Sequence, residues 1–238
     1  MSLTRLDKLI AASGLTRSEA AAAIRAGRVA VGGAVITAPD TKIEPERGKV
    51  TLDGAEILTG LVYIMMNKPA GYVSATEDAR ERCVTELLPQ ALRRRGVAPA
   101  GRLDKDTEGL LLLTDDGQFA HRVISPRHNV RKLYRAEVEG VLDESDAEAF
   151  RQGIVLGDGT RCLSAELTIE APSTALVAVR EGKYHQVKRM LASRGKPVRA
   201  LRRLAVGALW LDETLAAGEW RCLTEAEREM VFHNDTSK

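Results

Sequence analysis

The chain holds 238 residues, 44% of them apolar, with 35 Lys and Arg against 33 Asp and Glu for a net charge of +2. That length suits one large domain, or a medium domain beside a small one, and the apolar share supplies a packed core. Cys83, Cys162 and Cys222 stand alone, which excludes the close pairs of a zinc knuckle or dithiol motif, and no stretch approaches the roughly 18 apolar residues of a membrane span; a soluble cytoplasmic protein with reduced thiols is expected.

The opening MSLTRLDKLIAASG has no signal-peptide apolar run. Leu6, Leu9 and Ile10 share one helical stripe, and Gly14 closes that helix. Thr16 and Glu19 form a capping-box pattern that opens a second helix through Ile24, and Gly27 ends it. RVAV-GG-AVI then reads as a hairpin. The first 36 residues carry Arg5, Lys8, Arg17, Arg25 and Arg28 against Asp7 and Glu19. On the second helix Arg17 and Arg25 fall within about 80° of each other, and Arg28 continues that side. A basic face of this kind suits an RNA backbone read by shape and phosphate, although a solvated helix has the same charge count.

RLDKLIAASGLTRSEAAAAIRAGRVAVGGAVI resembles the S4 RNA-binding domain over nearly the whole module, and the resemblance implies a structured-RNA partner. The module is expected to span residues 1–58, with short strands added by TAPDTKIEPERGKVTLDGAEI and a hinge at Leu58-Thr59-Gly60.

From Leu61 onward β-like runs alternate with turns: LVYIMMN, KPAGYVSA, LLLLT, KLYRAEVEG, GIVLG, LSAELTIE and TALVAVREG. Helical patterns interrupt near VTELLPQALRRRG, DESDAEAFRQG and YHQVKRMLASRG. The pattern predicts an α+β domain over 61–238, with a mixed, mostly antiparallel sheet and flanking helices. LGDGT is too short for a dinucleotide fingerprint, and no GxxxxGK[ST] loop is present. Residues 118–136 and 182–211 contain cations and no acids, a segregation that suggests a polyanionic partner.

GRLDKDTEGLLLLTDDG sets Asp104, Asp106 and Glu108 beside four leucines. The spacing from Asp104 to Asp115 imitates a calcium loop, but Leu110–Leu113 fill positions that need polar groups, and no amphipathic helix precedes Asp104. A charged turn into a buried strand accounts for Asp106 and Glu108 and leaves Asp104 unexplained.

This stretch resembles the RLD-x-x-T-x-G-L-L-L-x-T signature of pseudouridine synthases. MMNKPAGYVSA, SPRHNVRKLYRAEVEG and EGKYHQVKRMLASRGKPVRALRR resemble the family's other motifs, in order. With the S4 module in front, the chain is similar to the RsuA branch, the ribosomal small-subunit pseudouridine synthases, from Arg5 to about Thr224. The resemblance implies Asp104 as catalytic carboxylate, Tyr134 packing against the target base, and Lys188 as the cation facing Asp104. Arg102 and Arg189 are further candidates for phosphate or aspartate contacts, and Arg5, Lys8, Arg17, Arg25 and Arg28 for RNA binding. His128 and His185 lie near these motifs without an assigned role. The two acid-free segments flank Tyr134 and Lys188 and are expected to line one cleft. No cofactor and no metal are expected. The implied partner is ribosomal RNA, within a precursor small-subunit particle, met by a monomer. A large-subunit rRNA synthase and a non-catalytic S4-type assembly protein are the alternatives; an activity assay separates the latter.

Overall fold

A computed structural model describes residues 3–44, 49–57 and 60–234. Contacts divide the chain into two compact units: Met1–Val62 with Thr85–Ala98, and Tyr63–Val84 with Pro99–Lys238.

In the first unit β1 (Thr4–Arg5) leads into α1 (Leu6–Ala12), α2 (Arg17–Arg25), β2 (Val29–Val31), β3 (Ala34–Val35), β4 (Lys42–Ile43), β5 (Val50–Leu52) and β6 (Ala55–Glu56). The capping box forms: Thr16 N donates to Glu19 Oε2 at 2.7 Å, and Glu19 N donates to Thr16 Oγ1 at 3.2 Å. Gly32 and Gly33 both take positive φ and turn β2 into β3, the conformation that a two-residue hairpin demands. Strands β3-β2-β5-β6 make an antiparallel sheet, and β1 pairs with β4. Leu6, Leu9, Ile10, Ala20, Ile24, Val29 and Val50 form the core. Leu58 and Thr59 of the expected hinge lie outside the described residues. One segment expected in the second half, VTELLPQALRRRG, counts with this unit through α3 (Gln90–Arg94). Arg94 donates to the Gly14 carbonyl, and Ala91 lies so close to Gly14 that a Cβ there would sit 3.1 Å from Ala91 Cα.

The second unit contains β7 (Tyr63–Lys68), β9 (Glu108–Thr114), reached through β8 (Ala98–Pro99), α4 (Gly117–Ile124), β10 (Lys132–Val138), α5 (Glu144–Gln152), β11 (Glu166–Ala171), β12 (Thr174–Val179), α6 (Gln186–Ser193), β13 (Val198–Val206), β14 (Leu209–Trp210), β15 (Trp220–Cys222) and α7 (Glu225–Met230). Seven strands follow the order β11-β12-β10-β13-β9-β7-β15. Each neighbouring pair is antiparallel except β13 and β9, which run parallel. Helices α5 and α6 pack Phe150, Met190 and Leu191 against Val177 and Leu201. Phe119 and Val123 of α4 pack with Met65, Leu110 and Leu112.

The sequence misleads at several short elements. KPAGYVSA and GIVLG are not strands; each makes a single bridge, Val73 to Cys83 and Val155 to Arg161. Pro69 and Gly71 break the first, and Gly153 and Gly157 bracket the second. The sequence pattern does not announce helices α4 and α7, because α4 buries only Phe119 and Val123 and α7 buries no residue at all. Among the described residues no helix is long and apolar enough to cross a membrane.

Candidate active site

The four leucines ahead of TDDG form the middle of β9, with β7 on one side and β13 on the other. Leu110 to Leu113 are all buried, as both faces of an interior strand require. Gly109, at the start of that strand, has φ +98°, and a Cβ there would come within 2.2 Å of Arg203 O. Only glycine fits where β13 meets β9.

The loop entering β9 carries Asp104 and is held from below by Lys68. This lysine ends β7 and is 0% exposed. Its Nζ donates to Pro69 O at 2.9 Å, Lys105 O at 3.2 Å and Thr107 O at 2.8 Å. Burial pushes its pKa down to about 8, while Asp106, Asp104 and Glu108 pull the other way. Gly71 N donates to Lys105 O at 2.8 Å, and Ser74 Oγ donates to Leu103 O at 2.9 Å while accepting from Leu103 N at 3.0 Å. The NKPAGYVSA stretch is thus the clamp of the RLDKDT loop.

Asp104 is half-buried. Lys188 Nζ lies 3.3 Å from Asp104 Oδ2 and 2.5 Å from Asp106 Oδ1, and His185 Nε2 lies 3.4 Å from Asp104 Oδ1. The Lys188 hydrogen bond holds the Asp106 carboxyl below the ordinary carboxylate range against the opposing effect of burial. Lys188 sits in the first turn of α6, whose N-cap, His185, has φ +47°. Among the described residues no group of three or more His, Cys, Asp and Glu has the arrangement of a metal site.

Tyr134 of β10 stands opposite Arg203 of β13. Arg203 is 4% exposed. Its Nε donates to Leu110 O at 2.7 Å, and its Nη1 is 3.5 Å from Tyr134 Oη. Lys132, two residues before Tyr134 and on the same strand face, has its pKa pushed down to about 8 by burial and then by Arg203. A cavity of about 930 Å³ is lined by Asp104, Lys132, Tyr134, Tyr184, His185 and Arg203, among others. Lys188 meets Asp104 without lining that cavity. The arrangement offers a half-buried carboxylate with a cation beside it, an aromatic ring, and a recess whose lining includes the cations Lys132 and Arg203.

The structure thus brings Asp104, Tyr134 and Lys188 to one place. Arg102 lines the cavity, but among the described residues no carboxylate lies within ion-pair distance of it. Arg189 faces Asp158 at 2.5 Å, not Asp104. The acid-free segments are acid-free only in sequence, because folding supplies partners: Lys183 meets Glu181, Arg194 meets Asp146 at 3.0 Å, and Arg131 meets Glu166 at 3.1 Å. His128 is exposed and outside the cavity lining. In the first unit Arg5 and Arg17 converge on Asp7, at 2.8 and 3.7 Å, and Arg28 pairs with Asp53 at 2.5 Å. Lys8 and Arg25 are exposed and, among the described residues, have no carboxylate within 4 Å.

Lys68, Arg203 and the second carboxylate on Lys188, Asp106, escaped the sequence reading. A signal existed for Arg203. Leu201 and Arg203 lie two apart on β13 and both are buried, so the strand period counted from Leu201 puts the arginine on the inner face; past Arg203 a bulge shifts the register and Ala205 falls on the other face.

The RNA pseudouridylate synthase family model matches residues 62–193, and the S4 domain model matches residues 4–48. A ribosomal small subunit pseudouridine synthase A of Vibrio cholerae is 43% identical over 231 residues, covering 96% of this chain and 99% of its own. An uncharacterized RNA pseudouridine synthase of Bacillus subtilis is 41% identical over 233 residues, covering 95% and 98%. A crystal structure of a pseudouridylate synthase superposes with a TM-score of 0.69 at 37% identity, covering 95% of this chain and 99% of that one. The chain belongs to the RNA pseudouridylate synthase family, with an S4 domain ahead of its catalytic region.

Proposed function

We propose that this pseudouridine synthase converts a uridine of small-subunit ribosomal RNA, with Asp104 as its catalytic carboxylate. The observation that carries the reading is the pairing of Asp104 with Lys188 at 3.3 Å at the wall of a cavity shared with Tyr134. The reaction breaks the bond from C1′ to N1, turns the base and joins C1′ to C5. C5 loses a proton and N1 gains one, so composition and oxidation state are unchanged. Attack on C1′ and removal of the 2′ proton both need an ionised carboxylate, and an adjacent ammonium favours that form in a partly desolvated site. The target nucleotide has to leave its stack to reach a recessed carboxylate. Tyr134 offers a face for the extruded pyrimidine, and Lys132 and Arg203 give the recess a positive field.

The choice of ribosomal RNA rests on the small-subunit relative at 43% identity over nearly the whole chain and on the S4 module. All three proposed catalytic side chains come from one chain, which suits a monomer acting on a precursor particle in the cytoplasm. The test incubates the purified protein with small-subunit and large-subunit rRNA transcripts, free and assembled with ribosomal proteins, and maps pseudouridine at nucleotide resolution. Formation at a single small-subunit position is expected. Conversion confined to large-subunit RNA overturns the substrate assignment.

A further inference from the structure

We infer that Tyr184 is a stacking platform for a nucleobase of the RNA beside the uridine that enters the cavity. The inference rests on the proposed RNA substrate and adds a binding subsite at the mouth of the same site.

Tyr184 is 75% exposed, the most exposed large apolar side chain among the described residues. Its position is nevertheless fixed. The ring stacks on His185 with centroids 3.8 Å apart and planes 19° from parallel. The His185 imidazole in turn reaches Asp104 at 3.4 Å. Arg189 Nη1 approaches the Tyr184 carbonyl at 3.4 Å. His185 keeps the left-handed φ of +47°, a conformation that a non-glycine residue holds only when its surroundings impose it. One face of the tyrosine is therefore covered by a side chain of the active site, and the other faces water. Tyr184 and His185 both line the cavity.

A single exposed aromatic ring is ordinary on a protein surface; this one is distinguished by its place, stacked at the cavity mouth on the imidazole that reaches Asp104. The occupant follows from position and chemistry. A uridine drawn into the cavity leaves its neighbours unstacked at the mouth, and every nucleobase has a π-face that an aromatic ring replaces. The cations on the same segment as Tyr184, Lys183, Lys188 and Arg189, are each paired with a carboxylate. A base on the outer face of Tyr184 would extend the stack to three layers, base, Tyr184 and His185, ending against Asp104.

The test uses a synthetic stem-loop spanning the uridine that the wild-type protein converts in small-subunit rRNA, together with versions in which the flanking nucleotide on either side is abasic. Tyr184→Ala is expected to raise KM or Kd about tenfold and to leave the single-turnover rate at saturating enzyme within about threefold of wild type. Tyr184→Phe and Tyr184→Trp should keep wild-type affinity, because the ring and not the hydroxyl carries the contact. One abasic version should lose about the same factor with wild type and nothing more with Tyr184→Ala. Equal affinities of the Ala and Trp variants, or full and additive losses on both abasic versions, overturn the platform. A wild-type protein that converts no uridine of this RNA overturns the substrate reading itself, and is told apart by that first measurement.

Discussion

Lys188 shows how one side chain serves two carboxylates. Its ammonium is 2.5 Å from Asp106 and 3.3 Å from Asp104, so the charge that the sequence resemblance assigned to one partner is shared. Asp106 is largely exposed, and its pair alone is worth little in water. Its use is to fix the lysine at the loop. Lys188→Met keeps most of the stem and removes the charge. The Asp106 carboxyl, held below the ordinary range chiefly by the Lys188 hydrogen bond, should then titrate within that range, read by NMR of the side-chain carboxyl. The single-turnover rate should fall by about tenfold or more, and Lys188→Arg should recover part of it. An unchanged titration of Asp106 together with a wild-type rate would remove Lys188 from the site.

At the scale of elements, β10 and β13 bring two cations into the sheet face beside Tyr134. Lys132 has a pKa near 8 in the folded chain and an ordinary value near 10.5 in the unfolded one. Between those values the unfolded chain binds more protons, so this group makes stability rise with pH. The cost of burying the charge is fully present below about pH 8 and is relieved as pH approaches 10.5. Lys68 behaves in the same direction. Lys132→Met abolishes one of the two contributions. The stability of wild type relative to this variant should therefore increase between pH 7.5 and pH 9.5, measured by urea unfolding at the two values; a constant difference contradicts the buried charge. These strands also show what the sequence made legible. The β-like run KLYRAEVEG and the continuous LLLL run lead to β10 and β9 directly, and the family resemblance of RLDKDT and HQVKR points to Asp104 and Lys188, which lie 3.3 Å apart. The pairing of β13 with β9 was not legible, because parallel neighbours lie far apart along the chain. Arg203 opposite Tyr134 was hidden with it. The acids that neutralise Arg189 and Arg194 were hidden for the same reason, since Asp158 and Asp146 come from other segments. Lys68 was read only as part of a motif, since its role is three carbonyl contacts that no spacing rule announces.

At the scale of the whole molecule, the proposal gives the S4 unit a share of RNA binding and puts the chemistry on the second unit. In the S4 unit three of the five expected RNA-binding cations are paired internally, which leaves Lys8 and Arg25 as the cations most available to phosphate. A Lys8→Ala, Arg25→Ala double variant should bind rRNA more weakly at low salt and approach wild type at high salt. The slope of log K against log salt should become shallower by about one to two, while the single-turnover rate at saturating enzyme stays near that of wild type. An unchanged slope would move the RNA contact elsewhere on the module. The proposed isomerisation depends on one carboxylate. Asp104→Asn keeps the size of the side chain and removes its ability to attack C1′ or to take a proton. Single-turnover pseudouridine formation on the small-subunit rRNA transcript, at saturating enzyme, should fall by at least about a thousandfold, with RNA affinity within about threefold of wild type. A rate within tenfold of wild type would contradict the assignment of Asp104, and with it the reading of this cavity as the place where uridine is isomerised.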